Sequence, residues 1–206
     1  MKKVSVIMAS YLGFYPGRNT NPDKKFIRAV NSFLKQTYEN KELVIIADGC
    51  KQTEEIYEKF FKQYDNIKLV SIPKQQIYSG ECRNAGLNIA TGEIISYLDN
   101  DDVLGKKHLE TIMEQFTDDV DLVYYDDYLV MSKDFKTLQK RIVETRYRSI
   151  GTSSITHKNV DWIRWRTGYG HDWLFVQECI MKGMQFKKLE KTPAYLVAHY
   201  GGGGDF

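Results

Sequence analysis

Short apolar runs alternate with helical patterns through the first 130 residues of this 206-residue chain. The runs are rich in Val and Ile, as in buried strands, whereas the segments between them place apolar residues three and four positions apart, as in helices. The predicted strands are residues 4–9, 42–47, 67–72 and 93–98. The predicted helices are residues 23–36, 53–64, 79–90 and 109–116. This alternation predicts an α/β fold with a mostly parallel sheet, flanked by helices on both faces.

The second part of the chain has a less regular pattern. A strand is predicted over residues 120–130, and the polar segment 131–148 is predicted to be a hairpin or an irregular excursion. Helices are predicted over residues 157–165 and 172–182, followed by a short strand pair and the glycine run 201–204. No long linker separates two folding units, so the 206 residues are expected to form one domain.

An acidic tetrad, Asp99-Asn100-Asp101-Asp102, directly follows the apolar run 93–98. Carboxylates at the end of a buried strand place negative charge at the edge of the sheet where ligands bind in open α/β folds. Such a cluster is costly unless a cation lies beside it, and Mg²⁺ or Mn²⁺ suits oxygen ligands. The tetrad therefore indicates a metal-assisted site for an anionic substrate such as a diphosphate. The alternative is a solvated turn, where Asp and Asn are common.

Composition and charge narrow the class of protein. The net charge is +2, and no basic run is interleaved with aromatic residues, so no nucleic-acid partner is expected. Cys50, Cys82 and Cys179 are far apart and form no metal-binding or disulfide pattern, which favours a reducing, cytoplasmic compartment. The first apolar run is too short for a signal peptide, and no run of about 18 apolar residues predicts a transmembrane segment. Peripheral contact with a membrane is left open.

The order of several motifs resembles that of the family 2 glycosyltransferases, which have the GT-A fold. The segments that carry the resemblance run from the first strand into the acidic tetrad. They are residues 3–11, 29–38, 42–49, 80–86 and 90–93, followed by 99–102. In the later part of the chain, only short pieces match, chiefly residues 170–173 and His199. An ordered series of motifs is more specific than an isolated acidic motif.

The resemblance implies transfer of a sugar from a nucleoside diphosphate sugar, with a UDP-sugar favoured, to a hydroxyl group of a glycan or another acceptor. It also implies inversion at the anomeric carbon and a need for Mg²⁺ or Mn²⁺. Residues 1–103 are expected to form the donor-binding half and residues 104–206 the acceptor-side half. By the same resemblance, Asp101 holds the metal, Asp99 contacts the ribose or sugar of the donor, and His199 completes the metal shell.

The resemblance also implies which other residues bind the donor. Asp48, at the end of the second strand, is expected to accept the imide N–H of uracil. The remaining donor-binding candidates are Ala9, Tyr11, Arg83, Asn84 and Asn100. The alternatives are an ordinary Asp-Gly turn at Asp48 and a merely solvated Arg83 on the surface of a helix.

Asp172 is the candidate catalytic base. Inverting transfer needs one carboxylate to take the proton of the acceptor hydroxyl as its oxygen attacks the anomeric carbon. Asp172 follows the glycine-containing segment 168–170 and would begin the next helix, so helix capping is its alternative role. His171 stands where the family often has an acidic residue, and its expected role is to orient its neighbour.

Departures from the family pattern keep two other functions open. Ala47 stands where most members have the first acid of the second-strand pair. One alternative is therefore a non-catalytic module that binds nucleotide-sugars or glycans. The other is a sugar nucleotidyltransferase, although Gly13, Gly17 and Arg18 do not form a recognisable phosphate-binding loop after the first strand.

Overall fold

Four parallel strands form the part of the main sheet that the sequence predicted. The computed structural model describes residues 1–13, 21–75, 79–132 and 134–198. The four strands are β1 (Val4–Ser10), β2 (Lys41–Asp48), β3 (Ile67–Ile72) and β4 (Ile94–Tyr97). They lie side by side in the order β4-β1-β2-β3, all running in the same direction. Their carboxyl ends therefore meet at one edge of the sheet.

Helices cover both faces of this sheet, as predicted. They are α1 (Pro22–Leu34), α2 (Lys51–Phe60), α3 (Gly80–Ile89), α4 (His108–Met113) and α5 (His171–Met181). Alternate residues of β1 enter different parts of the core: Val6 and Met8 pack with Phe26 of α1, whereas Ile7 packs with Phe175 of α5. Side chains alternate between the two faces of a strand, so a strand that is apolar throughout is buried on both faces.

The prediction of one continuous strand over residues 120–130 is wrong. Two strands, β6 (Leu122–Tyr124) and β7 (Asp127–Val130), occupy this segment and belong to different sheets. The chain changes direction between them because its polar groups there bind other segments. The Tyr125 N–H donates to the carbonyl of Ser154, and the Asp126 carboxylate accepts the N–H of Val143.

The helix predicted over residues 157–165 is also wrong. Residues 159–165 form neither a helix nor a strand, and the first two residues of the segment belong to the strand β9 (Ile155–Lys158), which is antiparallel to both β4 and β6. Its residues suit a strand because Ile and Thr are β-branched, and its backbone is paired on both sides. The His157 ring is buried and its Nε2 lies 2.7 Å from the Tyr97 hydroxyl.

A second, smaller sheet lies beside the acidic tetrad. It joins β5 (Val103–Leu104), β11 (Tyr195–Val197), β7 and β8 (Leu138–Arg141), in the order β5-β11-β7-β8. β7 and β8 form an antiparallel hairpin, so the hairpin alternative for residues 131–148 is correct for the part up to Arg141, whereas residues 142–148 are irregular. The short strand pair predicted near the end is wrong, because β10 (Phe186–Lys188) joins the main sheet whereas β11 joins the small one.

The main sheet has seven strands, in the order β10-β6-β9-β4-β1-β2-β3. It is mixed because β9 runs against its two neighbours, but the other adjacent pairs are parallel. No helix within the described ranges has both the length and the apolar character needed to cross a bilayer. The glycine run 201–204 lies outside the described residues.

Candidate functional site

The carboxyl edge of the parallel strands collects several of the predicted site residues. Asp48 ends β2, and the tetrad 99–102 follows β4. β1 lies between these two strands, and the Asn100 side chain reaches its last residue, donating through Nδ2 to Ser10 Oγ at 3.4 Å. Because parallel strands in register end together, residues about 50 positions apart in sequence share this edge.

The Asp48 carboxylate is largely buried and already has two partners. Its Oδ2 accepts a hydrogen bond from Lys74 Nζ at 2.7 Å, and its Oδ1 accepts one from the Gln75 N–H at 2.6 Å. The same ammonium lies 4.4 Å from the centre of the Tyr11 ring, a cation–π arrangement. Lys74 thus joins two candidate donor-binding residues, Asp48 and Tyr11.

Cys82 and Ala9 lie beside this subsite on the α3 face of the sheet. Cys82 is fully buried, and Ala9 is partly buried against the same apolar cluster. Burial, with a smaller contribution from the Asp48 charge, raises the pKa of the Cys82 thiol to about 12. Cys82 therefore stays a neutral thiol at physiological pH and is not a candidate nucleophile.

Arg83 connects the tetrad to the start of α5. Only 5% of its surface is exposed. Its Nη2 donates to Asp99 Oδ1 at 3.2 Å, and its Nη1 lies 2.9 Å from His171 Nε2. The guanidinium also lies over the Trp165 ring, 4.9 Å from the ring centre. A planar guanidinium offers donors in fixed directions, so one side chain can hold two partners at once.

The Asp172 carboxylate is fixed through one of its oxygens. Asp172 Oδ1 accepts a hydrogen bond from Thr152 Oγ1 at 2.6 Å and lies 3.3 Å from His171 Nε2. Gly170, which precedes α5, has φ of 79°, a left-handed conformation that glycine adopts without strain. This turn brings His171 and Asp172 to the end of the helix that faces Arg83. Asp172 Oδ2 has no hydrogen-bond partner among the described residues.

The hydrogen bonds of His171 indicate which of its nitrogens carries a proton. Nδ1 lies 3.1 Å from the carbonyl oxygen of Gly168, which only accepts, so Nδ1 is the donor. In the neutral ring, Nε2 then accepts from Arg83 Nη1. His171 thereby links the Arg83 guanidinium to the residue next to it in sequence, Asp172.

The rest of the tetrad is held by backbone and side-chain contacts. The Asp99 N–H donates to the Tyr195 hydroxyl at 3.0 Å, and Asp102 Oδ1 accepts the N–H of Ala198 at 2.8 Å. Arg28 Nη2 donates to the carbonyl oxygen of Asp101 at 2.5 Å. Burial lowers the pKa of Arg28, and the Asp102 and Asp101 charges offset only part of this shift.

The tetrad is a chemically suitable place for Mg²⁺ or Mn²⁺, although no three His, Cys, Asp or Glu side chains cluster as a complete site in the described ranges. Mg²⁺ commonly binds through one or two carboxylates and takes its other ligands from water and substrate phosphates. Asp101 and Asp99 supply such oxygens at an accessible edge. His199, the other predicted metal ligand, lies outside the described residues.

Asn84 occupies a structural position in α3. Its Nδ2 donates to the Trp165 carbonyl at 3.0 Å, and its Oδ1 accepts the Trp165 N–H at 2.7 Å. Both groups of the amide therefore hold the segment that carries Trp165 under Arg83. A contact between Asn84 and the donor stays a prediction.

Three residues of the site were not found from the sequence: Thr152, Lys74 and Arg28. Each acts on a predicted acidic residue that lies far away along the chain. Lys74 could have been found, because it follows the end of a predicted parallel strand and therefore lies near the same edge of the sheet. Thr152 and Arg28 had no such signal, since a Thr in a loop and an Arg on an amphipathic helix are common everywhere.

Comparison with known proteins identifies the fold and the family of the chain. A crystal structure of S. aureus TarS 1-349 in complex with UDP-GlcNAc superposes with a TM-score of 0.72. It is 20% identical in sequence, and the match covers 97% of this chain and 59% of that one. The GT-A fold expected from the sequence is confirmed.

Curated relatives are similar over part of their length. Glycosyltransferase GlyG of Streptococcus pneumoniae is 28% identical over 144 residues, which is 64% of this chain and 48% of GlyG. The poly(ribitol-phosphate) beta-N-acetylglucosaminyltransferase TarP of Staphylococcus aureus is 31% identical over 114 residues, which is 54% of this chain and 32% of TarP. The chain thus spans about half or less of these proteins.

The family described as "Glycosyl transferase family 2" matches residues 16–192, far more than half of the chain. The match extends from before α1 to the segment that precedes β11, so it includes β2, the tetrad, Arg83 and Asp172. The sequence motifs, the GT-A fold and this match agree: the chain belongs to glycosyl transferase family 2.

Proposed function

We propose that this protein transfers a sugar from a nucleoside diphosphate sugar to an acceptor hydroxyl, with inversion and with Mg²⁺ or Mn²⁺. The observation that carries the proposal is the position of Arg83, between Asp99 of the tetrad and the His171–Asp172 pair. Through it, a metal-binding motif and a candidate base belong to one connected site. Residues 1–103 supply the donor side, and residues 104–206 supply Asp172 on the acceptor side.

A UDP-sugar is the favoured donor. The related structure of TarS contains UDP-GlcNAc, and the fold of this chain superposes on it. Asp48 offers a carboxylate for the imide N–H of uracil, and Tyr11 offers an aromatic face beside it. Lys74 now contacts both groups, so it must move or share them when a base enters the subsite.

The transfer step requires one proton acceptor and a stabilised leaving group. The acceptor oxygen forms a bond to the anomeric carbon as the bond from that carbon to the diphosphate oxygen breaks. The hydroxyl proton passes to Asp172 Oδ2, the oxygen that Thr152 leaves available. Arg83 lies between the two carboxylates and holds positive charge where the diphosphate is expected.

The metal is expected at Asp101, with Asp99 beside it. When bound, such an ion neutralises negative charge that develops on the departing diphosphate. The neighbouring Asp102 is not proposed as a ligand, because it is buried and its Oδ1 accepts the N–H of Ala198. His199 remains a proposed ligand.

Release of UDP from UDP-sugars with Mn²⁺ or Mg²⁺ tests the function. We expect UDP release with an acceptor present and its loss on chelation with EDTA. Asp101→Ala should abolish turnover, and added Mn²⁺ or Mg²⁺ should not restore it. Asp172→Asn should retain donor binding, measured as a thermal shift with UDP and Mn²⁺, but lower kcat by at least about 100-fold, the usual scale for a general base.

Asp65→Asn is the matched control, since Asp65 is exposed and lies in the turn before β3, away from the site. It should keep full turnover. Full turnover in both site variants would refute the mechanism. Release of pyrophosphate from UTP and a sugar 1-phosphate, with no release of UDP from UDP-sugars, would identify a nucleotidyltransferase. Donor binding without turnover across a broad acceptor panel would identify a binding module.

A further inference from the structure

A groove with a volume of about 680 Å³ runs between α1 and β5. Its floor includes Ile27 of α1 and the two residues of β5. Its charged lining residues are Lys24, Arg28, Lys35 and Lys106. None of the described residues that line it carries a carboxylate. The groove therefore gathers four positive charges, whereas the net charge of the whole chain is only +2.

Helical spacing arranges most of these cations along one line. Lys24, Arg28, Asn31 and Lys35 follow one another at intervals of four, three and four residues, which places them on one side of α1 and at its C-terminal end. A helical segment of that length extends about 16 Å, at about 1.5 Å per residue. The line of charge is long enough to contact several charged units of an extended chain.

The lysines of the groove have no anionic partner in the described ranges. Lys24, Lys35 and Lys106 are exposed and form no ion pair there, whereas the adjacent Lys107 lies 4.0 Å from Glu110. Arg28, by contrast, is partly buried and donates to the backbone of Asp101. Arg28 thus contacts the tetrad, whereas the three lysines face solvent with their charge uncompensated by any described carboxylate.

We propose that this groove, which lies mostly in the donor half, binds a part of the acceptor remote from the reacting hydroxyl, and that the acceptor is a flexible polymer with repeated anionic groups. The inference rests on the proposed glycosyl transfer, because the contact between Arg28 and Asp101 is what connects the groove to the site. A bilayer surface is disfavoured because it is flat, whereas the groove is concave. Single-stranded nucleic acid is disfavoured because no aromatic residue lines the described part of the groove for base stacking.

Binding of a labelled inorganic polyphosphate, measured without donor at several salt concentrations, tests the groove. The triple variant Lys24→Gln, Lys35→Gln, Lys106→Gln should bind about tenfold or more weakly, and the slope of log K against log salt should fall by about three, one per lysine. The matched control is Lys51→Gln, Lys59→Gln, Lys62→Gln. It removes the same charge from α2 and the turn after it, and should bind like the wild type.

Equal loss in both triple variants would refute the groove, because it would mean that only the total charge matters. Two further arms distinguish the occupants. One arm uses vesicles of phosphatidylglycerol and phosphatidylcholine, and the other uses a single-stranded DNA oligonucleotide. Either ligand would refute the proposal if the protein bound it more tightly than polyphosphate and if only the groove variant bound it more weakly. Uncharged dextran should not bind.

The link to catalysis is tested separately with acceptors. Transfer to a polyanionic acceptor such as polygalacturonate should show a KM at least about tenfold higher in the groove variant, with hydrolysis of the donor by water unchanged. Unchanged KM in that variant would refute the groove while leaving glycosyl transfer intact. If polyphosphate binds as predicted but no donor is turned over, the proposed function is refuted, whereas the assignment of the groove as a polyanion-binding site stands.

Discussion

Asp172 has two unequal oxygens, and this asymmetry matters for its proposed role. Oδ1 is held by Thr152 and faces His171, whereas Oδ2 has no partner in the described structure. A carboxylate that is held through one oxygen cannot rotate freely, so its other oxygen keeps a constant direction. This orientation favours proton transfer to that oxygen. The helix-capping alternative for Asp172 is wrong, because Gly170 is the N-cap residue of α5 and no described side chain caps the helix. Thr152 restrains the carboxylate instead.

Replacement of the Thr152 hydroxyl tests this restraint. Thr152→Val keeps the shape of the side chain but removes the donor, so kcat should fall by roughly 10- to 100-fold, the scale of a hydrogen bond to a charged group. The KM for the donor should not change, because Thr152 does not contact the donor subsite. Thr152→Ser keeps the hydroxyl and should restore most of kcat. Equal loss in both variants would point to a purely structural role.

At the scale of elements, the close packing of α3 on β1 sets the position of Arg83, which α3 carries. A Cβ atom added to Gly86 would lie 2.5 Å from Ile7 Cγ2, which is closer than atoms can approach. Glycine at this position lets the helix backbone approach the strand. The height of α3 above the sheet, and so the reach of Arg83 to Asp99 and His171, depends on this contact.

Gly86→Ala is therefore expected to destabilise the protein, although alanine is the better helix former. The clash should outweigh the gain in helix propensity and lower the free energy of unfolding by about 1–3 kcal/mol. Displacement of Arg83 should also weaken UDP binding. Asn88→Ala is the control, because Asn88 is exposed on the same helix and should be neutral or slightly stabilising in urea unfolding. An unchanged free energy in Gly86→Ala would contradict this packing.

At the scale of the molecule, Glu42 joins three strands and the segment after α3 at the edge opposite the site. It accepts hydrogen bonds from Ser5 Oγ at 2.6 Å, from the Thr91 N–H at 2.7 Å and from Lys68 Nζ at 2.9 Å. Burial raises the pKa of the Glu42 carboxyl, but bonds from Ser5, Thr91 and Lys68 lower it more. The net effect is a pKa well below the ordinary value of 4.5.

The sign of the resulting pH dependence follows from this lowered pKa. The stability from ionised Glu42 is fully present above its ordinary pKa and is lost as the pH falls below that value. Glu42→Gln should therefore cost about 3 kcal/mol at pH 7 and progressively less in acid. Urea unfolding across the acid range measures this, with Glu39→Gln as the exposed control. A cost that stays constant with pH would contradict it.

The buried His157 gives a second acid-sensitive group of the same sign. Burial lowers the pKa of its imidazole from 6.5 to about 4, so the ring stays neutral in the folded protein. The unfolded chain binds a proton at a higher pH, so the free energy of unfolding decreases as the pH falls from 6.5 to about 4. His157 is present in both Glu42→Gln and the wild type. The difference between their curves therefore isolates Glu42.

The sequence by itself determined the parallel α/β core and the edge at which the site lies. Local periodicity distinguishes the first four strands from their helices, and parallel strands joined by helices must end at one edge. The Asp48 carboxylate and the tetrad were therefore predicted to meet. This inference needs only neighbouring residues and the geometry of the connection, and the family match is consistent with it.

Tertiary structure decided how the second half joins that core. A helix was predicted from residue 157, inside β9, because the strand character of β9 depends on β4 and β6, which border it from distant parts of the chain. The contacts of Arg83 with His171 and of Thr152 with Asp172 likewise join residues 88 and 20 positions apart. Such contacts leave no periodic pattern in sequence, because each depends on the directions of two side chains that only the packed fold determines.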